Sequence, residues 1–336
     1  MAASTISIRV DGPEQAAHAR RAATRLAEDI HFDTPGSARA ALIAVECANN
    51  LWKHGGGGEI LLSAVPPDAP AELEILALDH GPGMGDVSRC FQDGYSTAGT
   101  LGAGLGAVGR LSSYCEVYSA GGKGTALLAR LKNPAATTHG NEAHIGAVSV
   151  PKLGETESGD GFAIGRHPDF TTIMVVDGLG HGSLAAECPR AAISVFPAIS
   201  DRSPVEMLQR VHNALRHTRG AAVAVARLDF RKRDIRFAGI GNIGGFVDGL
   251  SQRRQFVSQP GIVGHSISNV REFTYVWPEG SLVLLYSDGI STHWSLDSYQ
   301  GLRGRDPSLV AGVVYRDWNR GRDDATIVVI RDKLTA

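Results

Sequence analysis

The sequence predicts an α+β protein of two domains, and three observations lead to that class. Its 336 residues suffice for about two domains at ~150 residues each, both long enough to bury a core. Residues 132–144 lose all hydrophobic periodicity and read as a linker. Beyond them the texture changes, and many short apolar strands flank a pair of helices, the pattern of a sheet-rich sandwich. The expected division is a first domain at 1–133, a linker at 134–144 and a second domain at 145–336.

In the first domain, residues 14–30 read as a helix. A second helix at 37–54 follows the start signal Thr34-Pro35-Gly36. Gly55, Gly56, Gly57 and Gly58 end it, since glycine past a helix terminus lets the chain turn away. Strands at 59–65 and 72–79 are separated by the turn Pro66-Pro67-Asp68. A glycine-rich segment, a helix at 105–113 and strands at 115–119 and 125–131 complete the domain.

The second domain opens with strands at 146–151, 161–166 and 171–177, followed by helices at 183–199 and 204–218. Strands at 221–229, 234–241, 272–277 and 282–286 come next. A helix at 307–320 and a last strand at 325–331 finish the chain. No internal repeat links the two halves.

Composition excludes several classes. Hydrophobic residues are 43% and charged residues 20%, a globular balance. Through Lys132 there are 11 basic and 14 acidic residues, then 22 and 21. Neither half has the basic excess that a phosphate backbone requires, so no nucleic-acid partner is expected. No apolar run approaches the ~18 residues of a membrane span, and no signal pattern opens the chain. Cys47, Cys90, Cys115 and Cys188 are scattered and form no metal-ligand spacing. The expectation is a soluble, cytoplasmic protein with reduced thiols. Glycine is in excess, 41 of 336 residues or about 12% against a usual ~7%. Clustered glycine permits positive φ and close approach to a ligand, phosphate among them.

In the second helix Glu46, Asn50 and His54 stand four residues apart. Each step turns the helix by 400°, so the three share one face. Their neighbours Ala44, Val45, Ala48 and Leu51 make most of this helix apolar. A carboxylate and an amide in such surroundings need partners, and a metal–nucleotide supplies them. Lys53 lies beside the same face. Asp79-His80-Gly81-Pro82-Gly83 follows directly on a strand, where an Asp can accept from an exocyclic amine while glycines admit the ligand. Gly102-Ala103-Gly104-Leu105-Gly106 precedes a helix, the arrangement of backbone amides that holds phosphates. Gly122-Lys123-Gly124-Thr125 leads into the closing strand.

In this order and within 80 residues, these motifs resemble the ATP site of the GHKL (Bergerat-fold) superfamily, over residues 5–132. The segment 79–131, with Asp93-Gly94-Tyr95-Ser96-Thr97, is most similar to its small serine/threonine kinases, the stressosome switch-kinase (RsbT-like) type and more distantly the anti-sigma-factor (RsbW-like) type. The resemblance implies an α/β sandwich that binds ATP and Mg²⁺. Glu46 is then the general base toward the attacking hydroxyl, or its ordering partner, and Asn50 holds Mg²⁺ against the phosphates. Asp79 reads the adenine amine with Thr125 behind it. Gly81 and Gly83 let the nucleotide approach, and Gly102, Gly104, Leu105 and Gly106 belong to the lid over the phosphates. No preceding helix offers a phosphoacceptor histidine followed by an acid, and His18 lies in an ordinary amphipathic helix, so a histidine kinase is not expected.

Four acidic positions stand out in the second half: Asp160 between glycines, Asp177-Gly178, Ser287-Asp288-Gly289 and Asp323-Asp324. Three of them adjoin long apolar strands. Carboxylates gathered at the ends of buried strands repel one another unless cations neutralise them, and hard oxygen ligands suit Mg²⁺ or Mn²⁺. From about 146 to 331 the pattern resembles the metal-dependent (PPM-type) serine/threonine phosphatases, in particular their SpoIIE/RsbX branch. It implies an αββα sandwich with two Mn²⁺ or Mg²⁺ ions. Asp177 then bridges both metals with help from the Gly178 carbonyl, Asp288 and Asp323 complete the second site, and Asp160 is a ligand directly or through water. Asp324 is the ligand instead if the pair is aligned one residue along. His181 is a candidate donor to the leaving oxygen. Where many relatives have a glutamate after Ser-Asp-Gly, this chain has Ile290-Ser291-Thr292-His293, as in the RsbX-like branch.

The combined expectation is a bifunctional signalling enzyme, kinase then phosphatase, acting on STAS-domain partner proteins of a stressosome-like switch. The alternative is that the first domain only binds ATP and sequesters a sigma-factor-like regulator or a STAS partner, beside an active phosphatase.

Overall fold

A computed structural model describes residues 5–65, 72–87, 104–134, 143–249, 252–267 and 269–332. By its contacts the chain forms two compact units. The first comprises Thr5–His139 together with Ser295–Arg316. The second comprises Gly140–Trp294 and the chain from Asp317 onward.

The first unit holds β1 (Ile6–Val10), α1 (Gln15–Asp29), α2 (Thr34–His54), β2 (Gly58–Val65), β3 (Glu72–Leu78), α3 (Gly104–Leu111), β4 (Tyr114–Ser119) and β5 (Thr125–Lys132). The strands make one antiparallel sheet in the order β1-β2-β3-β5-β4. The Asp33 carboxylate caps α2 by accepting from Gly36 N at 2.7 Å, with Pro35 in the first turn. Ile43, Ala44, Cys47 and Leu51 of α2 pack on Ile60, Leu62, Leu73, Ile75, Leu127 and Ala129. Strand alternation turns Leu61, Leu76, Leu78, Ala126 and Leu128 to the opposite face, where they are also buried. The short strand β1 was not anticipated, although Ile6, Ile8 and Val10 alternate as a strand should.

The second unit stacks two antiparallel sheets. One runs β15-β10-β9-β8-β7 and the other β12-β11-β16-β17-β6. Its long strands are β6 (Ala143–Val150), β7 (Asp160–Arg166), β8 (Phe170–Gly178), β9 (Ala221–Asp229), β10 (Asp234–Ile240), β16 (Leu282–Tyr286) and β17 (Ala325–Asp332). Shorter ones are β11 (Gly244–Asp248), β12 (Arg253–Gln255) and β15 (Phe273–Val276), with a hairpin of β13 (Gly261–Ile262) and β14 (Ser266–Ile267). One core, with Ile173, Val175, Phe237, Val247, Val283, Leu285 and Val328, lies between the sheets. A second joins the β8–β9 face to α4 (Ser183–Val195) and α5 (Pro204–Ala214) through Met174, Val223, Cys188 and Leu208. Ser203 and Glu206 cap α5 reciprocally.

The remaining helix, α6 (Pro307–Trp318), lies in sequence within the expected second domain, 145–336. By its contacts, the part up to Arg316 groups with the first unit. Every residue from Pro307 to Tyr315 is buried, so no polar stripe marks which surface it covers. No helix among the described residues is long and apolar enough to cross a membrane.

Candidate functional site

Each unit gathers the residues singled out by sequence. In the first, Glu46 and Asn50 are half-buried on one face of α2. Gly104, the first residue of α3, sits directly against them. A Cβ there would lie 3.2 Å from Glu46 Oε2 and 3.3 Å from Asn50 Oδ1. The amide-bearing end of α3 thus meets a carboxylate and an amide with no side chain between. Gly106 is buried, and Leu105 packs on the core. His54 and Lys53 are exposed. Gly102 and the run Asp93-Gly94-Tyr95-Ser96-Thr97 lie outside the described residues.

About 8 Å farther along α2, at its rise of ~1.5 Å per residue, Gly55 abuts Asp79 and Gly81. Asp79 follows β3 and is 8% exposed. Its Oδ1 accepts from Gly81 N at 2.8 Å and from Thr125 N at 3.0 Å, while its own N–H donates to Thr125 O at 2.9 Å. Both amides fall on one carboxylate oxygen, which leaves Oδ2 for a ligand donor. Burial pushes the Asp79 carboxyl up, and the two amides and Arg316 oppose it. Gly124 must be glycine, because its φ is +72° and a Cβ would stand 2.0 Å from Asp79 O. The Gly83 turn is held alongside, with Met84 N donating to Ser119 Oγ, itself 3.0 Å from Thr125 Oγ1.

In the second unit, Asp160 opens β7 and Asp177 lies directly opposite it near the end of β8. Asp288 follows β16, and the Asp323-Asp324 pair precedes β17, which pairs with β16. Strand pairing therefore delivers four separate stretches of sequence to one end of the sandwich. Burial, then Asp288, Asp323 and Asp324 in that order, push the Asp177 carboxyl up to about 7. Burial and Asp177 raise Asp160, and burial and Asp323 raise Asp288. Like charges so placed fit a divalent cation, which would reverse each of these shifts. Among the described residues no three such groups close into a ligating cluster.

The two neighbouring aspartates do different work. Asp324 accepts from Lys152 N at 2.7 Å on Oδ1 and from Gly159 N at 2.8 Å on Oδ2, so both its oxygens tie down loops. Among the described residues Asp323 takes only the Asp324 N–H, at 3.0 Å, and it is half-exposed and close enough to Asp177 and Asp288 to raise both. Gly178 donates to Gly159 O at 2.9 Å. His181 pairs with Glu155 at 2.7 Å, which holds it at the start of α4.

Two partners of these carboxylates were not foreseen. Ser287 Oγ donates to Asp160 Oδ2 at 2.5 Å and accepts from Thr326 N at 2.9 Å. Asn242 Nδ2 donates to Asp288 Oδ2 at 2.8 Å. The signal for Asn242 was present, since Gly241-Asn242-Ile243-Gly244 follows a strand just as the acidic motifs do.

Known proteins match the two parts of the chain separately, and the match to the second part runs through Ser295–Arg316 as well. The histidine kinase-like ATPase domain family matches residues 11–131, and the Stage II sporulation protein E (SpoIIE) family matches residues 168–333. The serine/threonine-protein kinase RsbT of Bacillus subtilis (strain 168) is 36% identical over 111 residues, which is 33% of this chain and 84% of RsbT. The phosphoserine phosphatase RsbX of the same organism is 24% identical over 142 residues, 42% of this chain and 71% of RsbX. A solved structure from work on the bacterial stressosome as a modular system controlling secondary messenger signalling is 26% identical with a TM-score of 0.54, covering 57% of this chain and 100% of that one. By these matches the chain belongs to the RsbT-like family of histidine kinase-like ATPase domains in its first part, fused in its second to a phosphatase domain of the SpoIIE (PP2C) family.

Proposed function

We propose that the chain carries two opposed activities, transfer of phosphate from ATP to a serine or threonine and removal of phosphate from phosphoserine or phosphothreonine. The partners on this reading are STAS-domain regulators of a stressosome-type switch. The observation that carries it is the convergence of Asp160, Asp177, Asp288 and Asp323 at one end of a sandwich. The names of RsbT and RsbX and the stressosome origin of the similar structure support the pairing.

In the phosphatase, Asp177, with help from the Gly178 carbonyl, would hold both of two Mg²⁺ or Mn²⁺ ions. Asp288 and Asp323 would complete the second site, and Asp160 would be a ligand directly or through water. Ions bound there would supply a hydroxide at neutral pH and offset the phosphoryl charge. Ser287 fixes Asp160 and Asn242 fixes Asp288, so neither carboxylate must be reoriented during turnover. In the kinase, Asp79 Oδ2 accepts from the adenine amine and the α3 amides face the phosphates. Asn50 is the ligand toward Mg²⁺, and Glu46 takes the proton of the attacking hydroxyl. Phosphoryl transfer asks mainly for such positioning and charge neutralisation.

The test is incubation of the full chain with γ-labelled ATP, Mg²⁺ or Mn²⁺ and a candidate STAS partner. Asp177→Asn should leave labelled partner accumulating, Asp79→Asn should prevent labelling, and Glu46→Gln should prevent transfer while ATP still binds. Dephosphorylation surviving Asp177→Asn refutes the metal assignment. ATP binding with no label on any partner makes the first unit a nucleotide-dependent binding module.

A further inference from the structure

Ser295–Arg316 lies in sequence between the motifs that carry Asp288 and Asp323, yet its contacts are those of the first unit. At its start, Lys123 Nζ donates to Ser298 O and lies 4.9 Å over the Tyr299 ring. Arg305 Nη1 donates to Glu116 Oε1 at 3.2 Å, and Asp306 N donates to Glu116 Oε2 at 3.0 Å. At the N-terminus of α6, Ser308 Oγ donates to Glu74 Oε2 at 2.8 Å. Gly312 lies against Leu76 and Leu78 in mid-helix, and Tyr315 OH donates to Glu59 Oε1 at 3.1 Å. The helix therefore tracks β3 from Glu74 to its end. From Ser308 to Arg316 it rises ~12 Å, while β3 covers ~17 Å between Glu74 and Asp79. A long side chain spans the difference, and Arg316 supplies it.

Arg316 Nη1 donates to Asp79 O at 2.9 Å and reaches Thr125 O at 3.4 Å. These carbonyls belong to the two residues that lock each other in the nucleotide site. We propose that Arg316 is a positioning residue of that site, fixing the Asp79–Thr125 pair so that the Asp79 carboxylate faces the base. The inference rests on reading the first unit as a nucleotide site, and it goes further by completing that site from a stretch lying between the phosphatase motifs. Two observations join the geometry. Asp79 O also lies so close to Gly124 that a Cβ there would stand 2.0 Å away, so the backbone has little room to shift. The guanidinium charge also opposes the upward push of burial on the Asp79 carboxyl, which favours the ionised acceptor that an exocyclic amine requires.

The experiment uses the full chain, with ADP and GDP as calorimetric probes. Arg316→Gln should weaken ADP binding about tenfold, the loss expected for a charged donor to two carbonyls. It should also narrow the preference for ADP over GDP, because a tilted Asp79 no longer discriminates the base. Arg316→Lys, which keeps the charge, should recover part of both. Tyr315→Phe breaks a hydrogen bond on the same helix without touching Asp79, and should bind ADP like the unaltered chain. The inference is overturned if Arg316→Gln binds ADP normally, if it weakens ADP and GDP in equal proportion, or if Tyr315→Phe does the same damage. Should Arg316→Gln not fold, Arg316→Lys decides alone, with a loss of several-fold expected and none refuting. If Asp79→Asn also leaves ADP binding intact, the nucleotide reading itself has failed; if only Arg316→Gln is silent, that reading stands and Arg316 does not position it.

Discussion

Replacing Arg130 by methionine tests the docking of α6 most severely. The Arg130 guanidinium is the hub of a buried cluster: Nε donates to Glu74 Oε2 at 2.7 Å, and Nη1 and Nη2 each reach Asp306 at 2.8 Å. Nη2 also donates to Ser308 Oγ at 2.9 Å. The Glu74 side chain is 1% exposed and that of Asp306 6%. Burial pushes Glu74 up while Arg130 opposes it, and the two carboxylates hold Arg130 firmly charged. Methionine fills the volume but leaves two buried carboxylates facing each other without a cation. Breaking a buried pair from one side costs about 3–5 kcal/mol, enough to undock α6 or unfold the unit. Urea unfolding by circular dichroism, with hydrogen exchange read on β3 and α6 peptides, measures it. Adding Asp306→Asn to Arg130→Met should return about 1–3 kcal/mol as coupling between the two sites. A cost below about 1 kcal/mol, or purely additive changes, refutes the argument that this cluster holds the helix.

Three further outcomes follow from particular contacts. Asp324→Asn leaves one of two backbone amides without an acceptor and should cost about 1–3 kcal/mol in urea unfolding, whereas Asp323→Asn should leave stability nearly unchanged and abolish Mn²⁺-dependent phosphatase turnover; the reverse pattern exchanges their roles. Ser287→Ala removes the donor to Asp160 and the acceptor for Thr326 N, and should raise the Mn²⁺ concentration for half-maximal turnover more than it lowers the saturated rate. His212 accepts from Gly264 N at 3.0 Å through Nδ1, and burial, then Arg216 and His265, lower its pKa. A depressed folded pKa means that the unfolded chain binds the proton more tightly. This contribution is therefore complete above the unfolded histidine pKa and lost as the pH falls through the folded one. His212→Gln should flatten the fall in thermal stability between neutral and mildly acidic pH, and an unchanged profile refutes it.

Much of the candidate chemistry was legible because it is local. Glu46 and Asn50 share a helix face by helical spacing alone. Asp79, Asp177 and Asp288 each stand at the end of an apolar strand within two residues of a glycine, which marks them wherever the strands are placed. Asn242 and Ser287 escaped notice as partners because a lone amide or hydroxyl near glycine is also ordinary turn chemistry. The strand β11 was missed because Gly244 and Gly245 dilute its apolar run.

Backbone preference and hydrophobic period thus determined, from the sequence by itself, the helices and the long strands and which residues end them beside glycine, while the short strands β1 and β11 to β14 went unread. Only tertiary structure set which amides surround Asp323 and Asp324, two adjacent and chemically identical side chains, a difference that favours Asp323 as the proposed ligand. It also decided where α6 lies, because a helix apolar around its whole circumference can satisfy more than one surface. A few part-buried polar contacts mark that place, Arg130 with Asp306 and Arg316 with Asp79, whose partners are more than a hundred residues apart and which strengthen as water is excluded.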